Sequence, residues 1–172
     1  CSSSIGLSQE ELNRPEIRNA FNDVMISELR LAFATLREIK DVRVVVLTGA
    51  GTSFCAGADL HWMRRVLDYT FEENVEDSLE LARLMREVYE FPRPVVGRIN
   101  GAAIGGGTGL VAACDITVAA ESAVFSFSEV KIGLVPAVIS PFVLKRVGER
   151  NAREYMLTGE RLKAVKAMQC GL

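Results

Sequence analysis

Two hydrophobic periods alternate along the chain. From Pro15 to Lys40 the apolar positions Phe21, Met25, Leu29, Ala32, Phe33, Leu36 and Ile39 recur three and four apart, which predicts one helix with a single buried face. VRVVVLTGAG follows, β-branched and apolar on both faces, so it reads as a strand covered on both sides and ending in glycines. FCAGADLHWMRRVL reads as a loop turning into a short helix. A second long helix is predicted from Phe71 to Phe91, with Val75, Leu79, Ala82, Met85 and Val88–Tyr89 inward, and Pro92 and Pro94 stop it. PVVGRING gives another strand, GAAIGGG a glycine loop, and Thr108 to Cys114 a helix of small residues. ITVAAESAVFSFSEV predicts two strands around a turn near Glu121–Ser122. Pro136 and Pro141 bracket a loop, helical character returns at Phe142–Val147 and Ala152–Leu157, and AVKAMQCGL opens an amphipathic helix.

Strands alternating with helices predict an α/β domain with a largely parallel sheet. No internal repeat of about 20–50 residues is visible and no low-complexity linker, so residues 1–172 read as a single domain. Only residues 1–14 are polar and poorly patterned.

Composition narrows the function. Apolar residues make up 49% and charged residues 24%, with a net charge of −2, which argues against a nucleic-acid or anionic-membrane partner. No apolar run approaches the roughly 20 residues that span a bilayer. Cys1, Cys55, Cys114 and Cys170 are scattered and His61 is the only histidine, so no zinc spacing exists and no metal is expected. Reduced thiols in a cytoplasmic protein are the expectation. CSSSIGLSQEE has no signal-peptide core and no initiator Met, which suggests a missing or processed N-terminus.

Several glycine-loop readings fail. GAGTSF puts Phe54, and GGGTGL puts Leu110, where a dinucleotide fingerprint needs its last glycine, and neither has a P-loop ending. There is no G-x-S-x-G, and one histidine gives no support to a Ser-His-Asp triad.

What remains is a shared design. FCAGAD after VVVLTGAG, and AAIGGGTG after PVVGRIN, both end a strand in small residues just before a helix. Small residues let a ligand approach the backbone, and helix N-termini offer unpaired N–H donors. Two such donors aimed at one oxygen form an oxyanion hole, in which one donor is worth about 3 kcal/mol.

In that order and spacing, LNRPEIRNAF, TGAGTSFCAGADL, PVVGRINGAAIGGGTGLVAACDITVA and FSFSEVKIGLVP resemble the enoyl-CoA hydratase/isomerase (crotonase) family, from about Leu12 to Leu172. AGADLHWMRR and VPAVISPFVL look most like bacterial methylglutaconyl-CoA hydratase-type members of leucine and terpenoid breakdown. The resemblance implies a crotonase-like ββα superhelix core whose C-terminal helical part is missing. It implies an acyl-CoA thioester substrate, with coenzyme A part of the substrate and no separate cofactor, and a homotrimer or hexamer. An apolar face at Met156, Leu157, Leu162 and Met168 would meet the other subunits.

Carried onto this sequence, the resemblance makes Ala58 and Gly106 the N–H donors to the thioester oxygen, with Gly57, Gly105 and Gly109 as substrate-binding positions in and after the same loops. Arg18 and Ala20 would lie along the CoA phosphates and pantetheine, and Ala56 at the adenine edge. Asp59 and Asp115 would be structural. Glu129 would move protons at the substrate's α or β carbon.

Two departures bear on the reaction. Where two-glutamate hydratases carry a second carboxylate, this chain has Gly109, which neither binds water nor carries a proton. Where the family has an apolar strand, this chain reads GLSQEEL, expected to be a disordered or modified edge. A hydratase acting on a branched or carboxylated 2-enoyl-CoA leads. An isomerase using Glu129 alone and a non-catalytic acyl-CoA-binding paralogue are the alternatives.

Overall fold

A computed structural model describes residues 2–4 and 6–172, the first three as backbone alone. Ser2–Ser4 (β1) pairs antiparallel with Leu7–Leu12 (β2), which runs parallel to Val44–Gly49 (β3), Leu7 opposite Val44 and Leu12 opposite Gly49. The polar N-terminal stretch is therefore a regular strand inside the sheet, correcting the expectation of an unpatterned or disordered edge. Ser8 and Leu12 are buried while Glu11 is exposed, and β3 supplies main-chain partners along the whole segment while β1 pairs with Leu7 to Gln9.

The helix predicted over Pro15–Lys40 divides. Pro15–Ile17 is a single 3₁₀ turn, Arg18 and Asn19 both take left-handed backbone (φ 56°), and the α-helix proper is Asp23–Glu38 (α1). Asn22 caps it, its side-chain oxygen accepting the Met25 N–H at 2.9 Å. Met25, Leu29, Phe33 and Leu36 face the core as the period requires, while Ile39 lies past the helix end and is exposed.

Ser53–Cys55 (β4) leads through Leu60–Val66 (α2) to Phe71–Tyr89 (α3), whose start is fixed by a reciprocal Thr70–Glu73 capping box. Only its second half packs inward, through Leu84, Met85 and Val88. Val75 and Leu79, expected inward, are each 41% exposed because the first half overhangs the core. Then come Val95–Ile99 (β5), Ala102–Ile104 (β6), Gly106–Ala113 (α4, starting before the expected Thr108), Ile116–Ala119 (β7) and Val124–Ser126 (β8). A 3₁₀ turn at Ser128–Ile132 precedes Ser140–Thr158 (α5), broken at Gly148 where two helical stretches were expected. Leu162–Lys163 (β9) and Ala164–Gln169 (α6) finish the chain.

The strands form two sheets, ordered β1-β2-β3-β5-β7 and β4-β6-β8-β9. Each of β3–β4, β5–β6 and β7–β8 gives one strand to each sheet and then enters a helical segment, so a ββα unit recurs three times although no sequence repeat marks it. This is the crotonase-like ββα superhelix. Leu162 is fully buried in the second sheet, against expectation, whereas Leu157 and Met168 are exposed. No described helix is long and apolar enough to cross a membrane.

Candidate active site

The second sheet brings the two glycine loops together. β4 and β6 are parallel neighbours, Ser53 opposite Ala102 and Cys55 opposite Ala103, so both strands end at the same edge. Beyond them, Gly57 has φ +91°, and a Cβ built on it would lie 2.9 Å from the Ile104 carbonyl oxygen and 4.0 Å from Gly105 Cα. The loops touch at a position that tolerates only glycine comfortably.

The first loop is held from behind. Ala56 N–H donates to the Arg18 carbonyl (3.0 Å), Phe21 N–H to the Gly57 carbonyl (2.7 Å), and Asp59 N–H to the Phe21 carbonyl (2.8 Å). In this short parallel bridge Phe21 bonds to the residues on either side of Ala58, so Ala58's own N–H is directed away from it. Among the described residues nothing accepts the Ala58 N–H. The Gly106 N–H opens α4, precedes its first intrahelical bond, and is likewise unclaimed. Its neighbour Gly105 is pinned by an N–H bond to the Ser126 carbonyl at 2.7 Å. Two unclaimed donors therefore project from two touching loops, the arrangement that stabilises a developing oxyanion.

Two residues that sequence reasoning passed over build this support. Asn19 is fully buried, its amide donating to the carbonyls of Ala50 (2.9 Å) and Ser53 (2.8 Å) while its oxygen accepts the Arg14 N–H (2.8 Å). Asparagine tolerates left-handed backbone, and that was the available signal. The Arg14 guanidinium donates to the Ala20 carbonyl (2.7 Å) and pairs with Asp59 Oδ2 (2.9 Å). Asp59 also caps α2 through the His61 N–H at 2.8 Å. Burial pushes the Asp59 carboxyl up, but the His61 N–H and the Arg14 guanidinium outweigh it and hold the group below the usual carboxylate range.

Glu129 reaches the same place from the third ββα unit. A Cβ built on Gly105 would stand 3.0 Å from Glu129 Oε1 and 3.4 Å from its carboxyl carbon, so the carboxyl lies against the start of α4, one residue from the Gly106 donor. Its Oε2 is buried without a hydrogen-bond partner. Burial raises the Glu129 carboxyl above the usual range, only partly offset by its own backbone N–H.

The other sequence-marked residues are placed as follows. Ala20 is buried and Ala56 half-buried behind the loop, while Arg18 is exposed beside them with its carbonyl engaged by Ala56. Asp115 ties β5 to β7, accepting the Val95 N–H at 2.8 Å. Gly109 is buried and has no open space: a Cβ there would sit 2.1 Å from Ile139 Cγ2 and 2.6 Å from its Cβ. Its surroundings are thus helix packing rather than room for substrate. Gly106 differs again, since a Cβ on it would meet only the Phe21 ring, at 3.4 Å.

Cys55 and Cys114 are buried with thiols pushed up to about 12 by desolvation, and Cys170 is half-buried; Cys1 lies outside the described residues. Among the described residues no group of three or more metal-type ligands occurs. A cavity of about 410 Å³ between β7 and α6, lined in part by Phe125, Arg146 and Leu172, contains none of the candidate residues.

Comparison with known proteins agrees with this geometry. Residues 3–172 match the family model described as enoyl-CoA hydratase/isomerase. The chain is 44% identical over 161 residues to a Thermus thermophilus protein named provisionally as an enoyl-CoA hydratase, covering 94% of this chain and 64% of that protein. It is 39% identical over 169 residues to the mouse mitochondrial enoyl-CoA hydratase domain-containing protein 2, covering 97% and 56%. Among solved structures, an enoyl-CoA hydratase from Shewanella pealeana superposes with a TM-score of 0.97 at 44% identity, over 99% of this chain and 64% of that one. The chain thus spans between about half and two thirds of the length of these relatives. With the ββα superhelix, the paired loops and the matched sequence all in agreement, the chain belongs to the enoyl-CoA hydratase/isomerase family.

Proposed function

We propose that the protein acts on 2-enoyl-CoA thioesters, with Ala58 and Gly106 donating to the thioester oxygen and Glu129 as the only acid/base. The observation that carries this reading is the meeting of three elements: two unclaimed N–H donors on touching loops and a buried, unpartnered carboxyl oxygen beside the second loop. In hydration, Glu129 takes a proton from water as its oxygen bonds to the β carbon. The electron pair moves to the thioester oxygen, and Glu129 returns the proton to the α carbon. The two N–H groups hold the charge between these steps, and burial of Glu129 favours the protonated form that the return needs.

The substrate we propose is branched or carboxylated, as in methylglutaconyl-CoA hydratase-type enzymes of leucine breakdown, because position 109 carries glycine rather than a carboxylate to hold water and a substrate carboxylate can replace it. Arg18, exposed beside the first loop, faces the CoA phosphates in this scheme. A homotrimer or hexamer, with exposed Leu157 and Met168 in its interfaces, completes the proposal. So does a reducing compartment, the cytoplasm, consistent with the unpaired Cys55, Cys114 and Cys170.

Gly109 favours isomerisation as the second reading: from a 3-enoyl-CoA, Glu129 takes an α proton and returns it at the γ carbon, the double bond moving to the 2 position. Incubating the full chain with straight, branched and carboxylated enoyl-CoA thioesters and separating the products tests both. Hydration or double-bond migration that Glu129→Gln abolishes supports the proposal. Binding of acyl-CoA with no turnover would leave the binding-protein alternative instead.

A further inference from the structure

We infer that Ile139 is a specificity-determining residue: its side chain fills the place left by Gly109 beside Glu129 and denies that place to water. The inference rests on the reading of Glu129 as acid/base and goes beyond it. Gly105 is the N-cap of α4 and Gly109 stands in its first turn, joined by the Gly109 N–H to Gly105 carbonyl bond at 3.1 Å. The side-chain direction of Gly105 meets the Glu129 carboxyl, and that of Gly109 meets Ile139.

The first turn of α4 thus receives a carboxyl at its cap and an isoleucine at Gly109, from segments that both follow β8. Ile139 is 2% exposed and stands immediately before α5, so packing fixes it. The fit is one of size: 2.1 Å between a Cβ at position 109 and Ile139 Cγ2 leaves no room for any other residue at 109 while isoleucine stays. The consequence is chemical. Glu129 Oε2 is a buried acceptor without a partner, the kind of group that would take an ordered water if the neighbouring space were open. An aliphatic wall keeps that space dry. Water for hydration must then be held by the substrate, and a straight-chain enoyl-CoA with no polar group near the β carbon is a poor hydration substrate.

The test uses Ile139→Ala in the full chain, with Ile139→Val as the milder variant should the first not melt cooperatively. The readout is the ratio of kcat/KM for straight-chain 2-enoyl-CoA hydration to that for the best branched or carboxylated substrate, which does not depend on the folded fraction. Opening the space should raise this ratio severalfold, and adding Gly109→Ala in the Ile139→Ala background should lower it again by refilling the gap. A folded variant with an unchanged ratio overturns the inference while wild-type turnover and its loss in Glu129→Gln leave the functional reading standing. Wild-type protein that turns over no enoyl-CoA overturns both.

Discussion

Gly57→Ala tests whether contact between the two loops sets the donor geometry. The new Cβ brings two costs. Position 57 has φ +91°, and an L-residue in left-handed backbone loses about 1–2 kcal/mol. The Cβ also falls 2.9 Å from the Ile104 carbonyl oxygen, a backbone atom of β6 that no rotamer can move aside, so the loops must separate by several tenths of an ångström. For a domain of this size about 1 kcal/mol lowers the melting temperature by roughly 2–4 °C, so the strain alone predicts a fall of about 2–8 °C. The kinetic effect should be larger in proportion. Productive donors lie within about 2.7–3.1 Å of the oxyanion, a window no wider than the expected displacement, and a lost donor costs about 10²–10³ in kcat.

Gly133→Ala is the control. Gly133 has nearly the same sign and size of φ, +74°, but a Cβ there meets nothing within 4 Å. It should show the backbone penalty in thermal melting without the steric one. Gly57→Ala should therefore melt below Gly133→Ala and lose kcat far more than acyl-CoA affinity. Wild-type kcat in a Gly57→Ala protein with lowered melting temperature would refute the idea that loop contact positions the donors.

Three other substitutions probe the rest of the site. Glu129→Gln should cut kcat by about 10²–10⁴, since position 109 carries glycine in place of a carboxylate that could take over. The raised carboxyl of Glu129 destabilises the fold as pH rises from the ordinary carboxylate range through the raised value, so this variant should melt above wild type at neutral pH, with the gap closing on acidification. The same shift should move the acidic limb of the wild-type kcat/KM profile upward, and a limb in the ordinary carboxylate range would contradict it. Gly106→Ala should keep both fold and rate, because its Cβ only touches Phe21 and its N–H survives, whereas Gly105→Ala combines φ +52° with Glu129 Oε1 at 3.0 Å and should lose activity. Arg14→Ala removes two bonds to Ala20 and Asp59 and should cost about 1–3 kcal/mol in denaturant unfolding. Because Asp59 is held below the usual range, that contribution is present above the unfolded carboxylate pKa and is lost as pH falls through the folded value, so the difference from wild type should narrow in acid.

How far the sequence could be read depended on where each determinant lies. β3 was legible because it is apolar on two faces, and the loops after β4 and β6 because small residues cluster there. The supports of those loops were not. Asn19 and Arg14 act on carbonyls and a carboxylate as far away as Ser53 and Asp59, and nothing local distinguishes a buried asparagine from one in a solvated turn. Leu7–Leu12 misled for a related reason. Gln9, Glu10 and Glu11 carry low strand propensity, yet pairing with β3 along all three, and with β1 at Gln9, holds the segment extended, and tertiary context overrides the local preference. The period of α3 correctly marks a helix, but period says nothing about how much of a face finds a partner, and Val75 and Leu79 lie where none of the described elements covers them.

Gly109 shows the same boundary at the site itself. From the sequence it is a missing carboxylate, and the open question is what the substrate would place there. The fold brings up Ile139, thirty residues later, and fills the gap with protein. A missing side chain in a packed structure is rarely an empty place, because interiors pack to nearly crystalline density and a loss at one position is met by a gain at another. The chemically meaningful unit is therefore the pair, with Gly109 removing a polar group beside Glu129 and Ile139 keeping its replacement apolar. A carboxylate introduced at position 109 alone would collide with Ile139 before it could hold water. Any attempt to give this protein a second acid must change both residues together.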